Sequence, residues 1–393
     1  MPNLRRGMMA AAGAAGGPPS TVATGTLWRW GNGELGGLGN GSAARQDSPI
    51  QIGSDTDWQI IDLDDLGKVS FGNQNAAAGG VKSDGTLFTW GASNFGQGGR
   101  GSTTNISSPV QVGSLTDWEL FSGGENGYAI KTDGTWWFVG GRNDSGEGGQ
   151  GDTTQYSSPV QIGSLTNWAK CGGGGDQGFA INTSGELFAL GAQGGEGALG
   201  NGEAYGSECS PVQVGALTDW HQIGPGYFYC LAIKTDGTLW AWGTAANGQL
   251  GDDSTVSKSS PVQIGSGTDW AQAAGGMRGN SMALKTDGTL WAWGVNSNGS
   301  AGTGNTTEYS SPVQVGSLTD WKIIFCGDHL GGAIKTDGTM WMWGDAYYGG
   351  LGNGTSGPSA PDISSPIQVG SATDWLGVTW SSSGGGPAAI RSA

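Results

Sequence analysis

Short apolar runs alternate with polar residues around a recurring Asp-Gly pair. In AIKTDGTLWAWG (232–243) two β-like runs flank Asp236-Gly237. Asp-Gly suits a two-residue turn with positive φ, whose twist matches that of paired strands, so the stretch reads as a β-hairpin. Trp240 and Trp242 stand two apart and therefore share one face of their strand. The turn recurs at Asp84-Gly85, Asp133-Gly134, Ser184-Gly185, Asp287-Gly288 and Asp337-Gly338. No apolar run approaches the roughly eighteen residues that a membrane helix needs.

A second phrase alternates with the hairpin. T-[DN]-W places Trp58, Trp118, Trp168, Trp220, Trp270, Trp321 and Trp375, at spacings of 60, 50, 52, 50, 51 and 54 residues. A Ser-Pro-[VI]-Gln phrase precedes each, with its proline nine residues before the tryptophan in all seven copies. A constant internal spacing between variable loops marks a structural repeat rather than low complexity. The repeat is cut at both ends. Only its second half stands at TGTLWRWG (24–31), and only its first half at AAIRSA (388–393). Joined, the two halves make a seventh copy. Seven units of about 50 residues each have room for four short strands, and such sheets bury both faces only when arranged in a ring. The expected fold is therefore all-β, a seven-bladed β-propeller over 21–393. Pairing of the N-terminal strand 24–31 with the C-terminal strands closes it.

Composition fits this picture. Of 19 tryptophans, seven lie in T-[DN]-W, eleven follow the hairpin turn and only Trp380 falls outside. Aromatics repeated at the same position in nearly every copy are expected to form a core between blades. Each would remove roughly 150–250 Å² from water, worth about 4–6 kcal/mol at ~25 cal/mol/Å². That burial offsets the cost of ordering a chain with 80 glycines. The glycine-rich loops run into Ser/Thr-rich sequence and a proline, not into a helix, so they read as tight turns rather than phosphate cradles. The Asp of T-D-W is expected to tie a turn.

The run WGTAANGQLGDDSTVSKSSPVQIG (242–265) resembles the regulator of chromosome condensation repeat. Similar runs are WGNGELGGLGNG (30–41), WGASNFGQGGRG (90–101), LGAQGGEGALGNG (190–202), WGVNSNGSAGTG (293–304) and WGDAYYGGLGNG (343–354). The resemblance spans about 21–393 and implies the seven-bladed fold. Relatives of that kind include nucleotide-exchange factors that contact chromatin and an inhibitor of β-lactamases. No interface residue of theirs matches here, because only the scaffold does.

Candidate chemistry is sparse. The formal net charge is −16, which repels phosphate and argues against nucleic-acid binding. Cys171, Cys209, Cys230 and Cys326 have no C-x-x-C spacing and read as reduced thiols. The two histidines, His221 and His329, could form a catalytic pair only if the fold joined them. Asp62, Asp64 and Asp65 could offer oxygens to a hard cation, but the glycine and later Glu of a calcium loop are missing. Those acids, Asp252-Asp253 and the pair Asp144/Glu147 all read as solvated loop charges.

Departures from the repeat point to contact surfaces. From Trp58 to Asp84 is 26 residues, against 15–17 in five other copies, so about ten residues are inserted within 59–78. The last copy is lengthened near GTSGPSAPD (354–362), and irregular loops carry Tyr156, Tyr205, Tyr309, Tyr347 and Tyr348. Such loops are where propellers vary their contacts.

Residues 1–20 lie outside the repeats. They carry Arg5 and Arg6 and no acid, a charge of +2 against −18 for the rest (15 minus 33). With Met8 and Met9, this arm is similar to the short Arg-Gly-Met-Ala-Gly starts of structural proteins from tailed bacteriophages, marine ones in particular. The resemblance implies a non-enzymatic virion component, assembled in the host cytoplasm. It would be anchored to other virion proteins through 1–20 and present the propeller in multiple copies to a host-surface protein or glycan. No cofactor is expected. Two other classes remain open: a regulatory protein-binding propeller, and a polysaccharide-active enzyme with paired carboxylates.

Overall fold

The computed structural model describes residues 23–59, 69–70, 77–380 and 386–393. It contains seven antiparallel sheets arranged as the blades of a propeller. Blade four shows the pattern: an inner strand Trp220–Pro225, then Tyr229–Lys234, Leu239–Gly243 and an outer strand Lys258–Gln263. The inner strands of blades two to six begin at Trp118, Trp168, Trp220, Trp270 and Trp321, and that of blade seven at Trp375. The T-[DN]-W phrase thus starts each of these inner strands. The Asp-Gly turn joins the second and third strands, and Ser-Pro-[VI]-Gln forms the outer one. In blade one the residues inserted within 59–78 lie mostly outside the described residues, and two short strands are described there. Trp58–Gln59 bridges to Lys82, and Val69–Ser70 pairs with Gly79 and Gly80.

Blade seven closes the ring. Its strands in order are Gln46–Gln51, Thr24–Gly31, Pro387–Ser392 and Trp375–Trp380. Leu27 pairs with Ile390 and Trp28 with Ala389 in antiparallel register. The N-terminal part supplies two strands rather than one, because its Ser-Pro-Ile-Gln phrase adds the outer strand.

Strand alternation builds the core. Leu239 and Ala241 pack toward blade five, while Trp242 and the half-buried Trp240 pack toward blade three. Seven such apolar clusters occur among the described residues, one at each junction between neighbouring blades. Thirteen tryptophans are buried and five are half-buried, as a core between blades requires. Five of them also clip adjacent blades by a hydrogen bond. The Nε1 of Trp30, Trp90, Trp242, Trp293 and Trp343 donates to a loop carbonyl of the preceding blade at 2.8–3.1 Å. Glycine is required opposite the indole. Gly251 has φ +83°, and a Cβ there would lie 2.7 Å from Trp293 Nε1.

The half-buried indoles belong to a second repeated device. Thr238 donates its N–H and hydroxyl to Asp236 Oδ1, and Trp240 Nε1 donates to Thr238 Oγ1. Lys234 then lies between Trp220 and Trp240, with Nζ 5.2 and 4.1 Å from the ring centroids and 3.5 Å from Asp219. The same set of a cation, two aromatic rings and an Asp recurs around Lys82, Lys131, Lys285, Lys335 and Arg391. The Asp of T-D-W therefore serves as the cation's counter-ion, and the hairpin Asp ties the turn. Blade three carries Asn182 and Asn167 in place of the Lys and the Asp, so both charges are absent there together.

Candidate binding site

Each inner strand runs from the hairpin end of the ring to the opposite end. Among the described residues, the connections from first to second strand and from third to outer strand gather there, at the loop end. The hairpin end repeats nearly unchanged from blade to blade. At the loop end the residues following the inner strands differ in chemistry: Glu125, Asp176, Tyr227-Phe228, Arg278 and Asp328-His329.

Tyr205, Tyr347 and Tyr348, singled out for their irregular loops, all lie at this end. Tyr205 is 80% exposed in blade three, and Tyr347 and Tyr348 stand together in blade six. The structure does not join Tyr205 to the other two. Arg5, Arg6, Met8, Met9, Asp62, Asp64 and Asp65 lie outside the described residues. His221 starts an inner strand near the hairpin end, while His329 follows an inner strand at the loop end of another blade. The fold does not bring the two histidines together. Among the described residues no cluster of three His, Cys, Asp or Glu could hold a metal ion.

Two cavities open at the loop end. One of about 530 Å³ is lined by Asp345, Tyr347, Tyr348 and Asp362 of blade six, with Asn298 of blade five. The inserted stretch forms part of its wall through Pro358 and Ala360. A second, of about 410 Å³, is lined by Tyr227, Phe228 and Glu125. Arg278 and Asp328 line both, and Arg278 Nε donates to Asp328 Oδ1 at 3.0 Å. An aromatic pair flanks each cavity. The ring centroids of Tyr227 and Phe228 are 4.4 Å apart, and those of Tyr347 and Tyr348 are 4.8 Å apart. Sequence inspection missed Arg278, Asp328, Tyr227 and Phe228, since each occurs once and belongs to no motif. The available signal was position: they follow the inner strand, where the repeat stops constraining chemistry.

An acidic group borders the second cavity. Burial, then neighbouring Asp176, raises the carboxyl of Glu125, partly offset by Arg142 at 4.0 Å. Burial likewise raises Asp176. Glu147, expected to be solvated, is 1% exposed instead. Burial pushes its carboxyl up to about 7, with Asp176 and Asp144 adding to the rise and hydrogen bonds from its own and Ser145 backbone N–H groups opposing it. Cys209, Cys230 and Cys326 are free thiols, as expected, and burial raises those of Cys230 and Cys326.

The sequence model of the regulator of chromosome condensation repeat matches residues 84–128, 236–283 and 287–334. Those three stretches are similar to that repeat. In the described structure each matched stretch runs from a hairpin turn across the junction to the next blade. Among curated relatives, the mitochondrial protein RUG3 of Arabidopsis thaliana, which contains such repeats, is 27% identical over 310 residues. The match covers 77% of this chain and 57% of that one. The ultraviolet-B receptor UVR8 of the same plant is 27% identical over 305 residues, covering 75% and 67%. Human E3 ubiquitin-protein ligase HERC2 is 29% identical over 322 residues, covering 80% of this chain but 6% of its own. The chain thus spans only part of these relatives. Among solved structures, human WBSCR16 superposes with a TM-score of 0.78 at 19% identity, covering 94% of this chain and 99% of that one. Prp20p of Saccharomyces cerevisiae gives 0.77 at 18% identity, covering 94% and 92%. At these identities the likeness establishes the repeat propeller fold and nothing finer.

Proposed function

We propose that the protein is a non-enzymatic binding propeller that engages a partner protein through the loop end of its ring. The observation behind this is the pair of cavities that share Arg278 and Asp328, each with an aromatic pair beside it. Aromatic residues and arginine are the side chains that most often anchor protein contacts. The yeast neighbour supports the reading, since its structure was described with its binding to Gsp1p and histones. Tyr347→Ala with Tyr348→Ala is expected to reduce capture of the partner by at least tenfold. Leu165→Ala with Leu217→Ala, exposed positions at the hairpin end, should leave capture within twofold. The reverse pattern would overturn the proposal.

The finer part of the proposal concerns residues 1–20. Arg5, Arg6, Met8 and Met9 would seat the protein on other virion proteins of a tailed bacteriophage in several copies, and many weak loop-end contacts would add up to avidity for a host surface. This part rests on the charge of the arm and its resemblance to the starts of tailed-bacteriophage structural proteins. Removing residues 1–20 should abolish incorporation into particles while leaving the propeller's melting temperature unchanged. Undiminished incorporation would count against a virion role.

A further inference from the structure

The cavity of blade six presents carboxylates whose positions are fixed and whose charge is not balanced. Asp362 Oδ1 accepts from the Ala346 N–H at 3.2 Å, and its Oδ2 accepts from Asn298 Nδ2 at 2.8 Å. Asp345 Oδ1 accepts from the Tyr347 N–H at 2.6 Å. Arg278 is paired with Asp328. Arg45, from blade seven, is paired with Asp47 at 3.2 Å and donates to the Tyr347 carbonyl. Among the described residues no lysine or arginine pairs with Asp345 or Asp362. Burial raises the carboxyl of Asp345, and the nearby acids Asp362 and Asp328 add to that rise, partly offset by His329 and by the hydrogen bond from Tyr347 N–H.

The chain itself shows what such a set of groups holds. In six blades a Lys or Arg sits 4.1–5.2 Å from two aromatic centroids and 2.6–3.5 Å from an Asp. The cavity of blade six offers two aromatic rings, Tyr347 and Tyr348, beside two carboxylates, while the arginine that lines it, Arg278, is paired with Asp328 instead. Ring faces and carboxylates each attract a cation, the more strongly the less water surrounds it. We propose that this cavity clamps a lysine or arginine side chain of a partner protein. The proposal rests on the loop-end reading above and names the chemistry of the contact. The overall charge of −16 would draw a basic segment toward the ring, and the cavity would select one side chain of it.

The test uses the full chain and fluorescein-labelled Gly-Ser peptides carrying three arginines, read by anisotropy. Asp345→Asn with Asp362→Asn should weaken binding at least tenfold; Asp345→Asn keeps a carbonyl for the Tyr347 N–H, and Asp362→Asn keeps one for the Ala346 N–H while giving up the oxygen that accepts from Asn298 Nδ2. Glu119→Gln with Glu203→Gln removes the same charge from exposed sites elsewhere and should change binding less than twofold. A peptide with citrulline for arginine should not bind. Equal losses in the two double variants, or equal binding of the citrulline peptide, would overturn the clamp. So would a neutral oligosaccharide that binds and is lost in Tyr348→Ala. If the clamp fails while Tyr347→Ala with Tyr348→Ala still abolishes partner capture, the loop-end function stands without it. Melting temperatures of all variants exclude unfolding as the cause.

Discussion

Trp242→Ala is expected to lower the unfolding free energy by about 3–5 kcal/mol, the range for deleting a fully buried large aromatic. Trp242 has no exposed surface and stands in the cluster between blades three and four. Its ring packs at 5.9 Å from Trp220 and 6.2 Å from Phe179 across the junction. The substitution leaves a cavity lined by two blades that cannot collapse independently, because each is also held by its other neighbour. Trp242→Phe keeps much of the packing but removes the Nε1 bond to the Ala198 carbonyl at 3.0 Å. It should cost less, about 1–3 kcal/mol for the lost contacts and an unpaired buried acceptor. Trp240→Ala, on the same strand face but half-buried, should cost less than Trp242→Ala. Chemical denaturation of the three variants decides the matter. Equal losses at 240 and 242 would contradict a core built from the second indole.

Glu147→Gln is expected to stabilise the protein at pH 8 by up to about 3 kcal/mol, taking 1.36 kcal/mol per pKa unit for a rise to about 7 from 4.5. Nothing structural should be lost. Glu147 Oε2 accepts from the Ser145 N–H at 2.8 Å, and Gln97 and Gln249 make the equivalent bonds in blades one and four at 2.8 and 2.9 Å. The sign follows from proton linkage. Below about 4.5 the carboxyl is neutral in both folded and unfolded chains, and its burial carries no charge penalty. Between 4.5 and 7 the folded chain holds the proton that the unfolded chain has released, so stability falls as pH rises. Above 7 the penalty is fully present. The stability difference between Glu147→Gln and the parent should therefore grow from near zero at pH 4.5 to its plateau at pH 8. A difference that does not change with pH would show that Glu147 is not charged at the expense of the fold.

Much of the fold was legible because each element is written several times. One Asp-Gly hairpin is ambiguous, but five of them and a Ser-Gly equivalent in phase with seven T-[DN]-W phrases are not. The truncated copies at 24–31 and 388–393 foretold the closure of blade seven. What the motif could not show was which Asp did which task. Both acids follow a threonine and precede a turn or a strand. Only the fold brings the T-D-W Asp against the Lys of a strand one hairpin away, at Asp219 and Lys234. Glu147 was misjudged for a related reason. It lies in a polar glycine-rich loop, and packing of neighbouring loops, not local composition, buries it.

The sequence by itself determined the strands, the repeat, the number of blades and the place of the indoles. Strand alternation and turn chemistry are local, so they act through neighbours in the chain. The candidate binding surface depended on tertiary structure alone. Arg278 and Asp328, or Asn298 and Asp362, are separated by 50 and 64 residues, and each pair is joined only because successive blades stand side by side. Charge balance, burial and cavity shape at the loop end arise from that juxtaposition, and no local pattern in the chain encodes it.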